Sequence, residues 1–315
     1  MTNSSFSLST RNAVLTRADT RTVPERDTRT VPKSRRRWRL RPVRTVLSLI
    51  GILLAVIWVF PVYWMLSSSL LPNVVLTSTR PRFFPWGGSL DNFREVLSSG
   101  SFFRALTISL QVTLIAVFFA MLFAFLAAVA ISRFKFKGRK SFILAILFIQ
   151  MLPAEGLFIA QYKMMSTTGL LNTVIGISVL YIAAVIPFTI WMLRGFVAGV
   201  PAELEESAQV DGCTSTGAFF RITLPLLAPG LVASGVYAFL QAWNEFTIAL
   251  VILPREDMRT LPLWLRTFIQ ASQTRETDWG QVMASSTLVA IPVIIFFLIV
   301  QGRLTSGLVA GAVKG

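Results

Sequence analysis

The stretch ALTISLQVTLIAVFFAMLFAFLAAVAIS, residues 105–132, contains no charged residue. A helix of about 20 apolar residues is long enough to cross the hydrocarbon core of a bilayer. Polar and apolar residues do not alternate along this stretch, as they do in the strands of a membrane barrel. Since backbone polar groups in lipid must be paired within the chain, residues 105–132 are predicted to form a membrane-spanning helix.

Five further stretches have the same apolar character, so the 315-residue chain is predicted to be an all-α, polytopic membrane protein with six transmembrane helices. Hydrophobic residues make up 54% of the chain and charged residues only 14%, which argues against a soluble enzyme. Two acids interrupt the spans, Glu155 in the third and Glu245 in the fifth. The predicted spans are residues 47–66, 105–132, 141–164, 165–193, 222–254 and 279–302.

The basic residues lie mainly on one side of the predicted spans. Of the 30 lysines and arginines, 12 precede Thr45, and residues 133–140 between the second and third spans hold five more. Because short cytoplasmic flanks are enriched in Lys and Arg, both termini are predicted to be cytoplasmic. This topology explains the net charge of +15 without a nucleic-acid partner. Residues 1–44 are predicted to be a disordered basic tail, since they hold few apolar residues to bury.

Several kinds of chemistry are excluded by residue types that the chain lacks. It has one cysteine, Cys213, and no histidine. This composition excludes an intramolecular disulfide, a multi-ligand Cys/His metal site and Ser-His or Cys-His catalysis. The sequence also contains no GxxxxGK phosphate-binding loop ending in Ser or Thr. The chain is therefore predicted not to be an enzyme and to bind no cofactor or metal itself.

Residues 195–221, the longest polar segment on the predicted cytoplasmic side apart from the tail, have the pattern of a helix, a turn and a second short helix. Pro201 suits a first helical turn, and the three glutamates that follow it favour a helix amino end. Gly212 is suited to end this helix, and Thr214 to cap the next one. The segment is predicted to lie on the cytoplasmic surface as a docking site for a partner. An ordinary interfacial helix is the alternative that the pattern leaves open.

Residues of this segment resemble a known signature. Glu206-Ser207-Ala208, three residues, Gly212, nine residues, Ile222, one residue and Leu224-Pro225 closely match E-A-A-x3-G-x9-I-x-L-P. That signature belongs to membrane subunits of bacterial binding-protein-dependent ABC importers. Only Ser207 departs from it, with one small residue in place of another.

Further segments resemble the carbohydrate-uptake branch of that family, in particular the six-span permease subunit of the maltose transporter. The resemblance extends from about Ala105 to the carboxy terminus. The segments that carry it are WNEFTIAL at 243–250, RTLPLWLRTFI at 259–269 and GLVAGAVKG at 307–315.

The resemblance implies a type I ABC importer permease fold in the bacterial inner membrane. It implies as partners a second permease subunit, a dimer of ATP-binding subunits that uses ATP and Mg, an extracytoplasmic sugar-binding protein and membrane lipid. It also implies a first transmembrane helix with an external loop at 45–103, a five-helix domain at 104–302 with coupling helices at 200–221, and an ATPase-contacting tail at 303–315. The implied ATPase-coupling residues are Glu206, Ser207, Ala208, Asp211, Gly212, Ile222, Leu224 and Pro225.

A candidate substrate path follows from the acids within the spans, since an ionisable group in a bilayer usually faces a cavity or a partner. Aromatic faces beside hydrogen-bonding groups suit sugar rings. Two structural alternatives stay open: an interhelix hydrogen bond with the partner permease for Glu155, and a water-exposed position near the outer end of the fifth span for Glu245. The path is predicted to include Glu155, Gln241, Trp243, Asn244 and Glu245.

The main hypothesis is a permease subunit that moves a sugar inward, driven by ATP hydrolysis on the separate ATPase. Maltose, maltodextrin, trehalose, other oligosaccharides and glycerol phosphate all fit the resemblance. The alternative is a stand-alone secondary transporter with Glu155 and Glu245 as proton-coupling sites, which leaves the cytoplasmic signature unexplained. In the loop after the fifth span, an apolar stripe is expected to lie on the membrane surface or to meet the binding protein. The stripe consists of Leu261, Leu263, Trp264 and Phe268.

Overall fold

The computed structural model describes residues 42–80, 82–270 and 277–312, and every regular element in these ranges is a helix. The all-α prediction is therefore confirmed. The predicted disordered tail lies outside the described residues, except that residues 42–44 begin the first helix. The α-helices are α1 Pro42–Ser69, α2 Asn73–Leu76, α3 Asp91–Ser98, α4 Ser101–Arg133, α5 Arg139–Met151, α6 Phe158–Thr167, α7 Val174–Gly199, α8 Glu203–Val210, α9 Ser215–Ala218, α10 Leu224–Asn244, α11 Thr247–Ile252, α12 Leu261–Gln270 and α13 Trp279–Ala312.

The chain divides into two compact units, Met1–Leu53 and Leu54–Gly315. Of the first unit, residues 42–53 are described, and they form the opening turns of α1. All features discussed below belong to the second unit.

Among the described residues, five helices are long and apolar enough to cross a membrane. They correspond to five of the six predicted spans. The fourth of the six begins at Val174 rather than at Met165, and the fifth ends at Asn244 rather than at Pro254. The five are Thr45–Ser69, Ser101–Arg133, Val174–Gly199, Ser215–Asn244 and Trp279–Gly302.

The third predicted span is not one continuous helix. Arg139–Met151 and Glu155–Thr167 together are apolar enough to cross a membrane, but they are bent by 90°. Pro153 disfavours the helical conformation at Leu152, which is extended, with φ −71° and ψ 131°. Because membrane helices tolerate proline kinks, the sequence predicts a kinked helix over 141–164, and the structure has a break at Pro153 instead. Glu155 lies in the 3-10 turn Ala154–Leu157 that follows the break.

α6 and α7 are separate helices because the link between them contains two left-handed residues. Gly169 has φ 69° and Asn172 has φ 57°, conformations that do not occur within an α-helix. Thr173 then caps α7, since its hydroxyl oxygen accepts the backbone N–H of Gly176 at 3.0 Å. These local contacts explain why the fourth span starts later than predicted.

α4 packs against α7 and α10 through a column of small side chains. Ala116, Ala120, Ala124 and Ala128 recur at every fourth residue and are at most 1% exposed. Small residues at this spacing let helices approach closely, which favours helix association in lipid. α7 and α10 also approach closely, because a Cβ at Gly230 would overlap the ring of Phe196.

The segment that contains α12 folds back onto α4. The backbone N–H of Leu261 donates to Ser109 Oγ at 2.7 Å, and Trp264 Nε1 donates to Ser101 Oγ at 2.9 Å. Leu261, Leu263 and Trp264 are buried, and Phe268 packs against the same cluster as Trp264. The expectation that this stripe lies on the membrane surface or meets a partner is therefore wrong, since its residues belong to the core.

Candidate functional site

The first part of the site is α8, a short helix with an acidic first turn. α8 begins at Glu203, so Pro201 precedes the helix instead of lying in its first turn. Glu203, Glu205 and Glu206 all lie in that turn, where the helix dipole favours negative charge. Of the three, only Glu205 is partly buried, while Glu203 and Glu206 are exposed.

Gly212 ends α8 in the way that its residue type predicts. Its φ of +92° lies in the left-handed region. The N–H of Gly212 donates to the carbonyl of Gln209 at 3.1 Å, and the N–H of Cys213 donates to the carbonyl of Ala208 at 2.9 Å. These two bonds form a Schellman motif, which pairs carbonyls that the helix end leaves free. A residue with a Cβ would be strained at this position.

The second half of the segment is also formed as predicted. Thr214 Oγ1 accepts the N–H of Gly217 at 3.1 Å, which caps α9. A π-helical turn, Phe219–Thr223, then joins α9 to α10. We refer to residues 203–223 as the α8–α9 hairpin.

A partly buried ion pair fastens this hairpin to the helical bundle. Glu205 Oε1 lies 3.1 Å from Arg133 Nη2 at the end of α4, and the two side chains are 19% and 17% exposed. The same carboxylate oxygen accepts the hydroxyl of Thr223 at 2.6 Å. The arginine contact lacks hydrogen-bond alignment, so its attraction is one of charge. Glu205 thus connects α8 to α4 and, through Thr223, to the start of α10.

The outer face of α8 is left uncovered by the described residues. Glu203, Glu206, Ser207 and Val210 follow the i, i+3, i+4, i+7 spacing of one helix face, and Val210 is 87% exposed. The opposite face holds Glu205 and the buried Ala208. Of the other predicted coupling residues, Asp211, Gly212 and Pro225 are exposed, while Ile222 and Leu224 are half-buried.

The second part of the site is a cavity of about 290 Å³ beside α7 and α10. It brings together three of the five residues of the predicted substrate path, Glu155, Gln241 and Glu245. The other lining residues are Gln150, Phe158, Tyr181, Ala184, Val185, Tyr237, Ala242, Thr247 and Ile248.

Two helix interruptions meet at this cavity. Glu155 follows the break after α5, and Glu245 lies in the break between α10 and α11. Non-helical backbone in a membrane is tolerated only where it is buried in protein or lines a water-filled space. The breaks therefore mark this cavity as a place where polar groups are accommodated within the bundle.

Gln241 and Tyr237 present a defined set of hydrogen-bonding groups to the cavity. Gln241 Nε2 donates to the hydroxyl oxygen of Tyr237 at 2.9 Å. This bond leaves Gln241 Oε1 as an acceptor and the Tyr237 hydroxyl proton as a donor. The Tyr237 ring is positioned from behind by Phe188, with the ring centroids 4.4 Å apart.

Glu245 acts as a helix cap. Its Oε1 accepts the N–H of Ile248 at 2.7 Å, and its Oε2 accepts the N–H of Ala249 at 3.1 Å. Both oxygens thus bind free backbone donors at the start of α11. The hydroxyl of Tyr181 donates to the backbone carbonyl of Glu245 at 3.2 Å and holds the break in place.

The remaining two residues of the predicted path do not line the cavity. Trp243 is 1% exposed and stacks on Phe239 in a different cluster, with ring centroids 5.6 Å apart. Asn244 is exposed, and its Nδ2 donates to the carbonyl of Leu240 at 2.8 Å. The aromatic rings that line the cavity are instead those of Phe158, Tyr181 and Tyr237.

Sequence reasoning did not select Arg133, Glu205 or Tyr237. Tyr237 lies one turn before Gln241, and this i, i+4 spacing was a usable signal. Arg133 was counted only as a topology charge. Its pairing with Glu205 depends on how α4 and α8 meet, and this was not readable from either segment alone.

The described residues form a helical membrane bundle with a capped surface hairpin and a cavity at two broken helices, an arrangement that suits a membrane transport subunit. Residues 116–309 match the family described as "Binding-protein-dependent transport system inner membrane component", which covers more than half of the chain. The chain belongs to this family of inner-membrane ABC permease components, as the signature around Glu206 predicted. Such components are not enzymes.

Several relatives support this assignment. The diacetylchitobiose uptake system permease protein DasC of Streptomyces coelicolor is 43% identical over 82% of this chain and 92% of its own length. The trehalose transport system permease protein SugB of Mycobacterium tuberculosis is 34% identical over 81% of this chain and 92% of its own length. The trehalose/maltose transport system permease protein MalG of Thermococcus litoralis is 32% identical over 87% of this chain and 98% of its own length.

A solved structure shares the fold. It is a chain of a bacterial ABC transporter involved in the import of the acidic polysaccharide alginate, which superposes with a TM-score of 0.69. The match covers 83% of this chain and 96% of that chain at 24% sequence identity. The predicted type I importer permease fold is therefore confirmed.

Proposed function

We propose that this chain is one permease subunit of a heteromeric ABC importer that moves an oligosaccharide inward, driven by ATP hydrolysis on a separate ATPase dimer. The names of the relatives, which refer to diacetylchitobiose, trehalose and maltose, support a sugar substrate. One observation carries the coupling part of the proposal: α8 is fastened to the bundle on its inner face and uncovered on its outer face.

In this proposal, the outer face of α8 docks in a cleft of the ATPase. Glu206 is the polar contact, Val210 supplies an apolar one, and Ser207 keeps the interface close-packed. When ATP binding closes the ATPase dimer, α8 moves, and the Arg133–Glu205 pair and Thr223 pass the displacement to α4 and α10. Gly212 keeps the hairpin in the shape that docking needs. ATP and Mg are used by the partner, and this chain supplies no group to the hydrolysis.

The remaining parts of the importer follow from the same proposal. An extracytoplasmic sugar-binding protein delivers the sugar, and a second permease subunit completes the path through the membrane. The cavity with Glu155 and Gln241 is this chain's share of that path, while Trp243 serves the helical packing and Asn244 lies outside the cavity. The tail at 303–315 is proposed to contact the ATPase, with both termini in the cytoplasm.

Detergent pull-down of the tagged full-length chain, expressed with its natural partners, tests the proposal. We expect an ATPase and a second permease to be recovered with the wild-type chain. Glu206→Lys reverses the charge on the docking face and is expected to lower ATPase recovery at least tenfold. Glu95→Lys makes the same change at an exposed acid on α3, away from the hairpin, and serves as the matched control. Equal ATPase recovery with both variants would overturn the docking assignment.

A stand-alone secondary transporter is not favoured by the contacts around the two acids. Glu245 uses both carboxylate oxygens to cap α11, so both oxygens already have a structural role. Uptake by the purified complex in proteoliposomes separates the two functions. We expect uptake with internal ATP and none with a pH gradient alone, and the reverse result would restore the secondary-transporter hypothesis.

A further inference from the structure

The cavity beside α7 and α10 carries negative charge without a compensating cation. Its lining residues, all within the described part of the chain, include the carboxylates of Glu155 and Glu245 but no lysine or arginine. Glu245 is occupied as the cap of α11. Glu155 is exposed, so its carboxylate is available to a molecule in the cavity. The lining therefore offers a strong acceptor of hydrogen bonds and no partner for an anion.

The neutral polar groups of the lining complement sugar hydroxyls. Gln241 offers Oε1 as an acceptor, and Tyr237 offers its hydroxyl proton as a donor, as their mutual hydrogen bond requires. Gln150 and Thr247 add groups that both donate and accept. A sugar hydroxyl also donates and accepts, so a ring with several hydroxyls can satisfy this set.

The shape and the apolar part of the cavity point to one ring. Phe158 and Tyr237 supply partly buried aromatic side chains that can cover the apolar C–H faces of a sugar. The volume of about 290 Å³ lies just below the roughly 300–1,000 Å³ that ligand pockets usually occupy. Such a space suits a single pyranose ring better than a chain of rings.

Resting on the proposed import function, we infer that this cavity is a subsite for one uncharged sugar ring and that Glu155 selects against acidic sugars. A uronate carboxylate placed there would meet the Glu155 carboxylate without an intervening cation, and the two like charges would repel each other. The fold alone does not impose a preference for uncharged sugars, because the similar alginate transporter imports an acidic polysaccharide. The discrimination is a property of the lining side chains.

Saturation-transfer NMR on the detergent-purified complex tests the inference with a matched pair of probes. Methyl β-glucoside and methyl β-glucuronide differ only in the carboxylate at C6. We expect the wild-type complex to saturate the glucoside at least tenfold more strongly than the glucuronide. Glu155→Gln keeps the size and one acceptor oxygen but removes the charge. It is expected to reduce this preference to less than threefold. Gln241→Leu should weaken the glucoside signal itself.

Glu95→Gln removes an exposed carboxylate outside the cavity and is expected to keep the wild-type preference. Equal signals from both probes with the wild-type complex, no signal from the glucoside, or an unchanged preference in Glu155→Gln would each overturn the inference. The same preparations are assayed for ATPase content and ATP-driven uptake. A complex that transports but fails the probe test refutes only the subsite, whereas a preparation without ATPase or uptake refutes the proposed function.

Discussion

The α8–α9 hairpin and the cavity hold their functional side chains in different ways. The bonds that shape the hairpin join residues close in sequence, such as Ala208 with Cys213 and Thr214 with Gly217. The cavity instead collects Glu155, Tyr181 and Gln241 from three separate segments. A substitution at a hairpin residue that shapes these turns should therefore disturb the whole docking surface, whereas a substitution in the cavity should act mainly at its own position.

Removing the ion pair that joins the hairpin to α4 should have the largest effect. Arg133→Ala leaves Glu205 partly buried without its charge partner, and breaking a buried pair costs about 3–5 kcal/mol, with this pair near the lower figure because it is 17–19% exposed. We expect ATP-driven uptake to fall more than tenfold, with a lower thermal unfolding temperature. The double variant Arg133→Glu with Glu205→Arg should recover part of the uptake. Wild-type uptake by Arg133→Ala would show that the hairpin does not act through α4.

Gly212→Val is expected to have the second largest effect on transport. The left-handed φ of +92° costs about 1–2 kcal/mol for a residue with a Cβ, so the turn should change shape. Membrane insertion should be retained, while sugar transported per ATP hydrolysed falls about tenfold. Gly235→Val is the matched control, because a Cβ at Gly235 meets nothing within 4 Å and its φ is not in the left-handed region. Equal coupling ratios in the two variants would contradict the assignment.

Glu245→Gln tests the cavity side of the comparison and should have a smaller effect. Weakening a helix cap costs about 1 kcal/mol, so the unfolding temperature should fall by a few degrees at most. ATP-driven uptake should fall less than threefold and keep the pH dependence of the wild type. A lost or shifted pH dependence would indicate that Glu245 takes part in proton transfer.

Ser207→Ala should have the smallest effect. The Ser207 hydroxyl donates only to the backbone carbonyl of Glu203 at 2.8 Å on the exposed face. Surface substitutions of this kind usually change stability by less than about 0.5 kcal/mol. Uptake and ATPase recovery should stay within twofold of the wild type, and a larger loss would mean that the hydroxyl contacts the ATPase directly.

The hairpin was predictable because its determinants are local. Gly212 and Thr214 end and cap helices through their own backbone and side-chain preferences, and both predictions are confirmed. Likewise, the charge-free stretches predicted five of the spans, since length and hydropathy decide whether a helix can cross a membrane. Helix ends, caps and span hydropathy can all be determined from a short segment of sequence.

The composition of the cavity was less predictable because it depends on how helices rotate and bend. Trp243 and Gln241 lie two residues apart on α10, and only packing against neighbouring helices decides that Trp243 enters the core while Gln241 faces the cavity. The break at Pro153 is a second case, since the sequence predicts only a kink there and the structure ends α5 before it. For the same reason the burial of the apolar stripe on α12 could not be predicted locally, because α4, which packs against it, is distant in sequence.

The alanine column of α4 gives this helix a smooth surface where it packs against α7. Methyl groups form no ridges that interlock with α7, so sliding of α4 along α7 requires few rotamer changes. Tilting of α4 away from α7 would instead open voids in a close-packed interior. Such an interface favours shear parallel to the helix axes. A displacement of Arg133, the last residue of α4, would therefore shift the whole helix a short distance along its own axis.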